Sequence, residues 1–198
     1  KNLKKPFILK NRFGTSAREV FLIKNKEDFL SYYKTLSFPM AQENLRKNNQ
    51  NYDEYTCSVF RDKNGSLIGP FISKRFLKFG TSWILKTIVN KKLSILIKNI
   101  ANKLNNFGTI NIQLMKKNNQ FLPIEINSRF SGTTSIRAAL GFNEPEMYIK
   151  NFFLNKKIKN EKIKKGYVFR YVEEIFLSND SDKKLQSYFS KGKKIQWF

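Results

Sequence analysis

The sequence has no histidine and only one cysteine, Cys57, among its 198 residues. Without histidine, we expect neither a zinc site nor catalysis of the Ser-His-Asp or Cys-His type. A lone cysteine cannot form an internal disulfide, which fits a reducing compartment, and we expect a cytoplasmic protein. No apolar run approaches the ~20 residues that span a bilayer, and no signal peptide is visible, so we expect no membrane partner.

Acidic residues are also scarce, with 15 Asp and Glu against 38 Lys and Arg, which gives a formal net charge of +23. The positive electrostatic field of such a charge attracts nucleic acid, anionic lipid or a phosphorylated ligand. The cations are spread along the whole chain rather than gathered in a patch, so we do not expect nucleic acid as the main partner. A non-catalytic basic module that binds nucleic acid or another polyanion stays open as the alternative function.

The chain is long enough for one domain with a real core or for two small lobes, and 40% of its residues are apolar. Hairpin-like strands alternate with amphipathic helices, which predicts an α+β architecture rather than a doubly wound parallel sheet. We predict strands over 6–10, 20–23, 38–43, 55–60, 66–74, 110–115 and 167–176, and helices over 26–36, 91–104, 144–155 and 180–189. Residues 76–90 are expected to be irregular.

A short polar segment, EINSR at residues 125–129, is the most informative part of the chain. Strand side chains alternate between faces, so Glu125, Asn127 and Arg129 should line one face. A carboxylate, an amide oxygen and a guanidinium in one row suit a magnesium–phosphate complex, because the hard cation takes oxygen ligands and Arg forks onto phosphate. An amphipathic hairpin whose outer face is polar is the competing interpretation.

The preceding strand adds Gln113 to this row. If the two strands form a hairpin with an odd-numbered loop centred on Asn119, Gln113 lies directly opposite Glu125, and cross-strand partners share a face. A loop rich in Gly, Ser and Thr follows the segment at once, which is uncommon beside an ordinary solvated strand. We therefore favour a metal and phosphate site over the polar hairpin.

Three further positions offer groups for a nucleotide. Lys10 ends a strand beside a turn-rich loop, where it could place a point charge on phosphates or simply be exposed. The strand at 38–43 runs into a loop through Leu45, and backbone groups there can pair with an adenine edge. Arg75 lies among other cations near the end of a strand, where a solvated basic face is the alternative.

The EINSR strand resembles that of the ATP-grasp ligases, and within them the large-chain type of carbamoyl phosphate synthetase. The resemblance covers residues 5–150 and, more loosely, the remainder. It implies the ATP-grasp fold, in which antiparallel sheets with flanking helices hold a nucleotide between two lobes. We expect an ATP-grasp domain over 1–155, with a hairpin lobe at 1–45 and a metal and phosphate lobe at 46–155, and an extension at 156–198 packed on the same domain. Because the chain starts with Lys1 rather than Met, we expect a C-terminal piece of a longer protein whose N-terminal domain is missing here.

The resemblance also implies ligands and residue roles. ATP would activate a small-molecule carboxylate as an acyl phosphate, which an amine or similar nucleophile then attacks, with Mg²⁺ (or Mn²⁺) on the phosphates. The family places a basic residue, usually followed by Pro, at Lys10, but Asn11 stands there in this chain, and the glycine-rich loop retains only Gly14. The implied metal ligands are Gln113, Glu125 and Asn127; the nucleotide contacts are Lys10, Gln42, Glu43, Asn44, Leu45 and, for the ribose, Glu54; the catalytic cations are Arg129 and Arg75. This chemistry needs positioning and charge neutralisation rather than a histidine base.

Overall fold

The computed structural model describes residues 3–14, 18–46, 53–78, 80–159 and 162–170, which form two antiparallel sheets. The smaller sheet has the strand order β2-β1-β3, with β1 at Phe7–Asn11, β2 at Val20–Ile23 and β3 at Pro39–Glu43. Helix α1 (Lys26–Tyr33) begins at Asn25, whose side chain accepts the backbone N–H of Asp28. The smaller sheet and α1 enclose a core of their own, formed by Leu9, Ile23 and Leu36.

The larger sheet has six strands in the order β8-β7-β4-β5-β6-β9. The strands are β4 (Asp53–Arg61), β5 (Leu67–Lys78), β6 (Thr81–Thr87), β7 (Gly108–Lys117), β8 (Gln120–Asn127) and β9 (Tyr167–Phe169). Helix α2 (Lys91–Leu104) covers one face, because Leu93, Ile97 and Ala101 repeat at the helical spacing and are all buried. They pack on a core that includes Cys57 and Ile112.

The opposite face of the larger sheet is covered by short helices. Helix α3 (Thr134–Ala139) and helix α4 (Glu144–Tyr148) are followed by a π-helical turn at Ile149–Phe153. Phe71, Phe142 and Met147 belong to a second buried apolar cluster on this side. No cluster of buried apolar residues in the described part of the chain spans both sheets. Within the same residues, no helix is long and apolar enough to cross a bilayer.

Most predicted elements are present, and α2 has the predicted bounds. The prediction of irregular structure over 76–90 is wrong, because β5 continues to Lys78 and β6 follows a turn at Gly80. The inward side chains of β6 include Ser82 and Thr87, and these polar residues hide the apolar alternation of a strand. The predicted helix at 144–155 ends at Phe153 after the π-helical turn. The predicted helix at 180–189 and the end of the strand at 167–176 lie outside the described residues.

Cys57 should not react with thiol reagents in the folded protein. Its side chain is 0% exposed in the core of the larger sheet, and burial raises the pKa of the thiol to about 12, so both access and the reactive thiolate are lost. Titration with 5,5′-dithiobis(2-nitrobenzoic acid) should release almost no product from the native protein and one equivalent per chain in denaturant. Rapid release from the native protein would mean that this part of the core opens readily.

Candidate functional site

The hairpin of β7 and β8 brings the predicted metal ligands together. Gln113 pairs with Glu125, and Asn111 pairs with Asn127, so the four side chains share one face of the larger sheet. Asn111 was not among the residues expected here. It lies in the row because β7 presents alternate residues to the same face as β8.

The pairing of Gln113 with Glu125 is as predicted, but the turn that produces it is not. The loop has two residues, Asn118 and Asn119, with φ values of 46° and 61°, as in the tight hairpin turns that favour Asn. Such an even loop alone would set Gln113 opposite Ile124. A β-bulge opposite Gln113 and Leu114 adds one residue, Ile124, to β8. The bulge shifts the pairing by one residue, so that Gln113 lies opposite Glu125.

Lys10 reaches this hairpin from the smaller sheet. Its Nζ donates to the carbonyl of Ile124, the extra residue of the bulge, at 2.9 Å. Partial burial lowers the pKa of Lys10, and the nearby carboxylate of Glu125 opposes this effect. The ammonium group therefore lies between the sheets and beside the carboxylate of the row, where it can meet an anion.

Glu125 and Asn127 form a small oxygen-rich pair. Asn127 Nδ2 donates to Glu125 Oε1 at 2.6 Å, which leaves the second carboxylate oxygen and the amide oxygen for another partner. Among the residues that the structure describes, no group of three or more acidic or cysteine side chains could hold a metal ion alone. The pair fits magnesium, which binds through one or two carboxylates while substrate phosphates complete its shell.

Arg75 occupies the centre of the sheet next to Gln113. Its Nη2 donates to Gln113 Oε1 at 2.7 Å and to Glu54 Oε2 at 3.1 Å. The other oxygen of Glu54 accepts from Arg46 at 2.7 Å, and Glu54 is only 4% exposed. For Glu54 to contact a ribose, Arg46 or Arg75 would therefore have to release one of its oxygens. For Gln113 to bind a metal through Oε1, Arg75 would have to release that oxygen.

The segment predicted to meet adenine forms the edge of the smaller sheet. Gln42 pairs with Ile8 in β1, and the outer side of β3 has no strand partner among the described residues. Glu43 Oε1 accepts from Lys117 Nζ of the larger sheet at 2.9 Å. Asn44 is buried and its Oδ1 accepts the backbone N–H of Arg46, while Leu45 is half-buried. Backbone N–H and C=O groups along this side of a strand are of the kind that can pair with a base.

Arg129 lies just beyond β8 with its side chain exposed. Its Nη1 donates to the carbonyl of Phe130 at 3.1 Å. In the following loop, the backbone N–H of Ser131 donates to Thr134 Oγ1 at 2.9 Å, which orders the turn that leads into α3. The guanidinium is thus placed beside an ordered loop at the end of the row formed by Gln113, Glu125 and Asn127.

A buried polar cluster beside the row was not predicted from the sequence. Arg137 and Glu144 are both 0% exposed, and Arg137 Nη1 lies 3.1 Å from Glu144 Oε1. Arg137 Nη2 donates to Thr56 Oγ1 at 2.9 Å and to Asn111 Oδ1 at 2.5 Å, and Ser58 donates to Glu144. Thr56 pairs with Gln113, and Asn111 with Asn127, so this Arg137–Glu144 cluster packs against the row from α3 and α4 on the same face of the sheet. The polar alternation of Thr56 and Ser58 was the only available signal.

Solved structures with the same architecture define the class of fold. One is N5-carboxyaminoimidazole synthetase from Staphylococcus aureus complexed with ADP, with a TM-score of 0.64 and 19% identity over 80% of this chain and 43% of that one. Another is the biotin carboxylase domain of 2-oxoglutarate carboxylase from Hydrogenobacter thermophilus with MgADP, ADP and bicarbonate, with a TM-score of 0.67 and 13% identity over 83% and 40%. The fold is the ATP-grasp fold, and the chain spans less than half the length of these proteins.

The family follows from the sequence itself. The model of the family described as ATP-grasp in the biosynthetic pathway with Ter operon matches residues 51–175, more than half of the chain, so this chain belongs to that family. No curated protein matches. The resemblance to ATP-grasp proteins is thereby confirmed, whereas the narrower likeness to carbamoyl phosphate synthetase stays a prediction.

Proposed function

We propose that this chain is the nucleotide-binding part of an ATP- and magnesium-dependent carboxylate ligase. A carboxylate oxygen of the substrate attacks the γ-phosphorus of ATP and releases ADP, and an amine or similar nucleophile then attacks the acyl carbon and releases phosphate. The observation that carries the proposal is the row of Gln113, Glu125 and Asn127 on one face, with Lys10 reaching it from the other sheet. Solved relatives of this fold contain ADP, ATP or MgADP.

The phosphate end of ATP would lie over this row. Bound magnesium would neutralise charge on the phosphate oxygens, and manganese, which accepts the same ligands, is a second candidate. Glu125 and Asn127 supply its protein oxygens, and Gln113 can join them if Arg75 turns to the phosphate. Lys10 and the exposed Arg129 would hold the transferred phosphate from opposite ends of the row.

The nucleoside end would lie along the smaller sheet. We assign the adenine to Gln42, Glu43, Asn44 and Leu45, since β3 is an edge strand of the described smaller sheet and its backbone carries the donors and acceptors that a base pairs with. Glu54 would accept from the ribose hydroxyls after Arg46, which is largely exposed, releases one of its oxygens.

The acid and the nucleophile would be bound largely by the rest of the enzyme. The solved relatives are more than twice as long as the aligned part of this chain, and we infer that a further domain completes the acid pocket. We retain the carbamoyl phosphate synthetase type as the proposed subtype, because the EINSR strand and the loop after it carry that resemblance.

ATP with Mg²⁺ should stabilise this chain in a saturable manner. A ligand at 100 times its dissociation constant adds about 2.7 kcal/mol to the free energy of unfolding, which in a domain of this size raises the midpoint by roughly 5–10 °C. Differential scanning fluorimetry with ATP, with and without Mg²⁺, at moderate salt measures this. Heparin serves as the control polyanion. Equal shifts with heparin, abolished by salt and indifferent to Mg²⁺, would favour the basic binding module instead.

A further inference from the structure

A cavity of about 490 Å³ lies beside the first turns of α2, and we call it the α2 pocket. Its apolar lining includes Pro70, Ile72, Ile88 and Ile163. At its mouth, Val89 is 83% exposed and Ile95 is 52% exposed. Large apolar side chains grouped around a concave surface are typical of a site that binds a partly apolar ligand.

Three lysines surround this apolar lining. Lys91 and Lys98 are seven residues apart, so they lie on one face of α2, and Lys165 approaches from the segment before β9. No Asp or Glu lines the pocket, and none of the three ammonium groups forms an ion pair within the residues that the structure describes. The rim therefore carries uncompensated positive charge next to an apolar floor.

The α2 pocket is separate from the candidate nucleotide site. Ile72, in its lining, packs with α2 on one face of the larger sheet. The next residue, Ser73, pairs with Thr56, which in turn pairs with Gln113 of the row in the candidate nucleotide site. Because successive strand residues face opposite sides, the pocket and the row lie on opposite faces of the sheet.

We propose that the α2 pocket binds a small amphiphilic anion, with an apolar body on the floor and an anionic head group held by Lys91, Lys98 and Lys165. The volume lies within the roughly 300–1,000 Å³ of small-ligand pockets, which favours a small molecule over a protein segment. A carboxylate and a phosphate head group satisfy the same three ammonium groups, and the experiment distinguishes them.

Isothermal titration of the whole chain with decanoate and with decyl phosphate, each below its critical micelle concentration and without ATP or Mg²⁺, tests the proposal. We expect one saturable site for at least one of the two anions, and the tighter one identifies the head group. Decanol, with the same chain and no charge, should bind at least about tenfold more weakly, as should acetate or inorganic phosphate. Because nucleotide is absent, the result does not depend on the proposed ligase function.

Matched lysine variants locate the site. Lys91→Ala combined with Lys98→Ala should weaken binding about five- to thirtyfold, whereas Lys92→Ala combined with Lys103→Ala removes the same charge from other faces of α2 and should change it less than twofold. Ser94→Phe, which fills the pocket, should abolish binding in a protein that still melts cooperatively. The proposal is wrong if neither anion binds saturably, if decanol binds as tightly, or if the two double variants lose affinity equally. If Ser94→Phe does not fold, the comparison of the two double lysine variants tests the proposal without it.

Discussion

Replacing Glu144 with alanine should lower the free energy of unfolding by about 3–5 kcal/mol, because it leaves a buried charge without its partner. Arg137 is 0% exposed, and its burial lowers the pKa of the guanidinium while Glu144 opposes that effect. Within the described structure, Arg137 Nε already has no acceptor, and Ser58 would lose the carboxylate to which it donates. Native domains are stable by only about 5–15 kcal/mol, so this loss would leave much of the protein unfolded in mild denaturant.

Urea unfolding measured by circular dichroism gives this free energy, and the neighbouring helix supplies a matched control. Glu146 also pairs with a cation, Lys150, but both side chains are substantially exposed. Glu146→Ala should therefore change stability by no more than about 0.5 kcal/mol. Combining Glu144→Leu with Arg137→Met should restore part of the loss, since neither charge is then buried alone. If Glu144→Ala lowers the free energy of unfolding by no more than about 0.5 kcal/mol, as expected for Glu146→Ala, the Arg137–Glu144 cluster does not stabilise the fold.

Glu125→Ala should remove the magnesium-dependent part of the ATP effect while leaving the free protein almost as stable as before. The side chain is half-buried beside Asn127, and changes at such positions usually stay within about ±0.5 kcal/mol. With MgATP bound, Glu125 is the only full negative charge in the row, and two amide oxygens cannot replace it for a cation that dehydrates reluctantly. Its loss also lowers the pKa of Lys10 further, since Glu125 opposes the effect of burial there.

The measurement is the shift in melting temperature with ATP, with and without Mg²⁺, for three variants. Glu125→Ala should give the same shift in both conditions, whereas Arg129→Ala should weaken ATP binding in both. Glu27→Ala removes an exposed carboxylate from α1 and should behave as the parent protein. If Glu125→Ala unfolds the protein, the carboxylate stabilises the fold as the electrostatic partner of Lys10. An unchanged magnesium dependence would mean that the row is only the polar face of a hairpin.

The sequence was most informative where one periodic pattern determines one element. Helix α2 has its predicted bounds because its apolar residues recur at the helical spacing and Asn90 caps its start. The facing of Gln113 and Glu125 was predicted correctly through a wrong loop, since a two-residue turn and a bulge together give the register of a three-residue loop. The extra residue of the bulge, Ile124, accepts from Lys10 of the other sheet, and no local sequence pattern reports a contact between such distant segments.

The Arg137–Glu144 cluster illustrates what could not be predicted. Charged residues on short helices are usually exposed, and nothing within 134–150 distinguishes Arg137 and Glu144 from Glu146 or Lys150. Their burial follows from the packing of two short helices on a face of the sheet that already carries Thr56, Ser58 and Asn111. Such complementarity arises only when distant segments meet.

The separate cores of the two sheets bear on how fast the proposed nucleotide could be exchanged. Leu9, Ile23 and Leu36 pack within the smaller sheet, and the described hydrogen bonds that join it to the larger one run from Lys10 to the Ile124 carbonyl and from Lys117 to Glu43. Water can replace both contacts at a modest net cost, whereas parting a shared core would expose apolar surface. If nucleotide binds between the two sheets as proposed, we expect the sheets to separate without partial unfolding, so that the barrier to releasing ADP is set mainly by the bonds that the nucleotide itself makes.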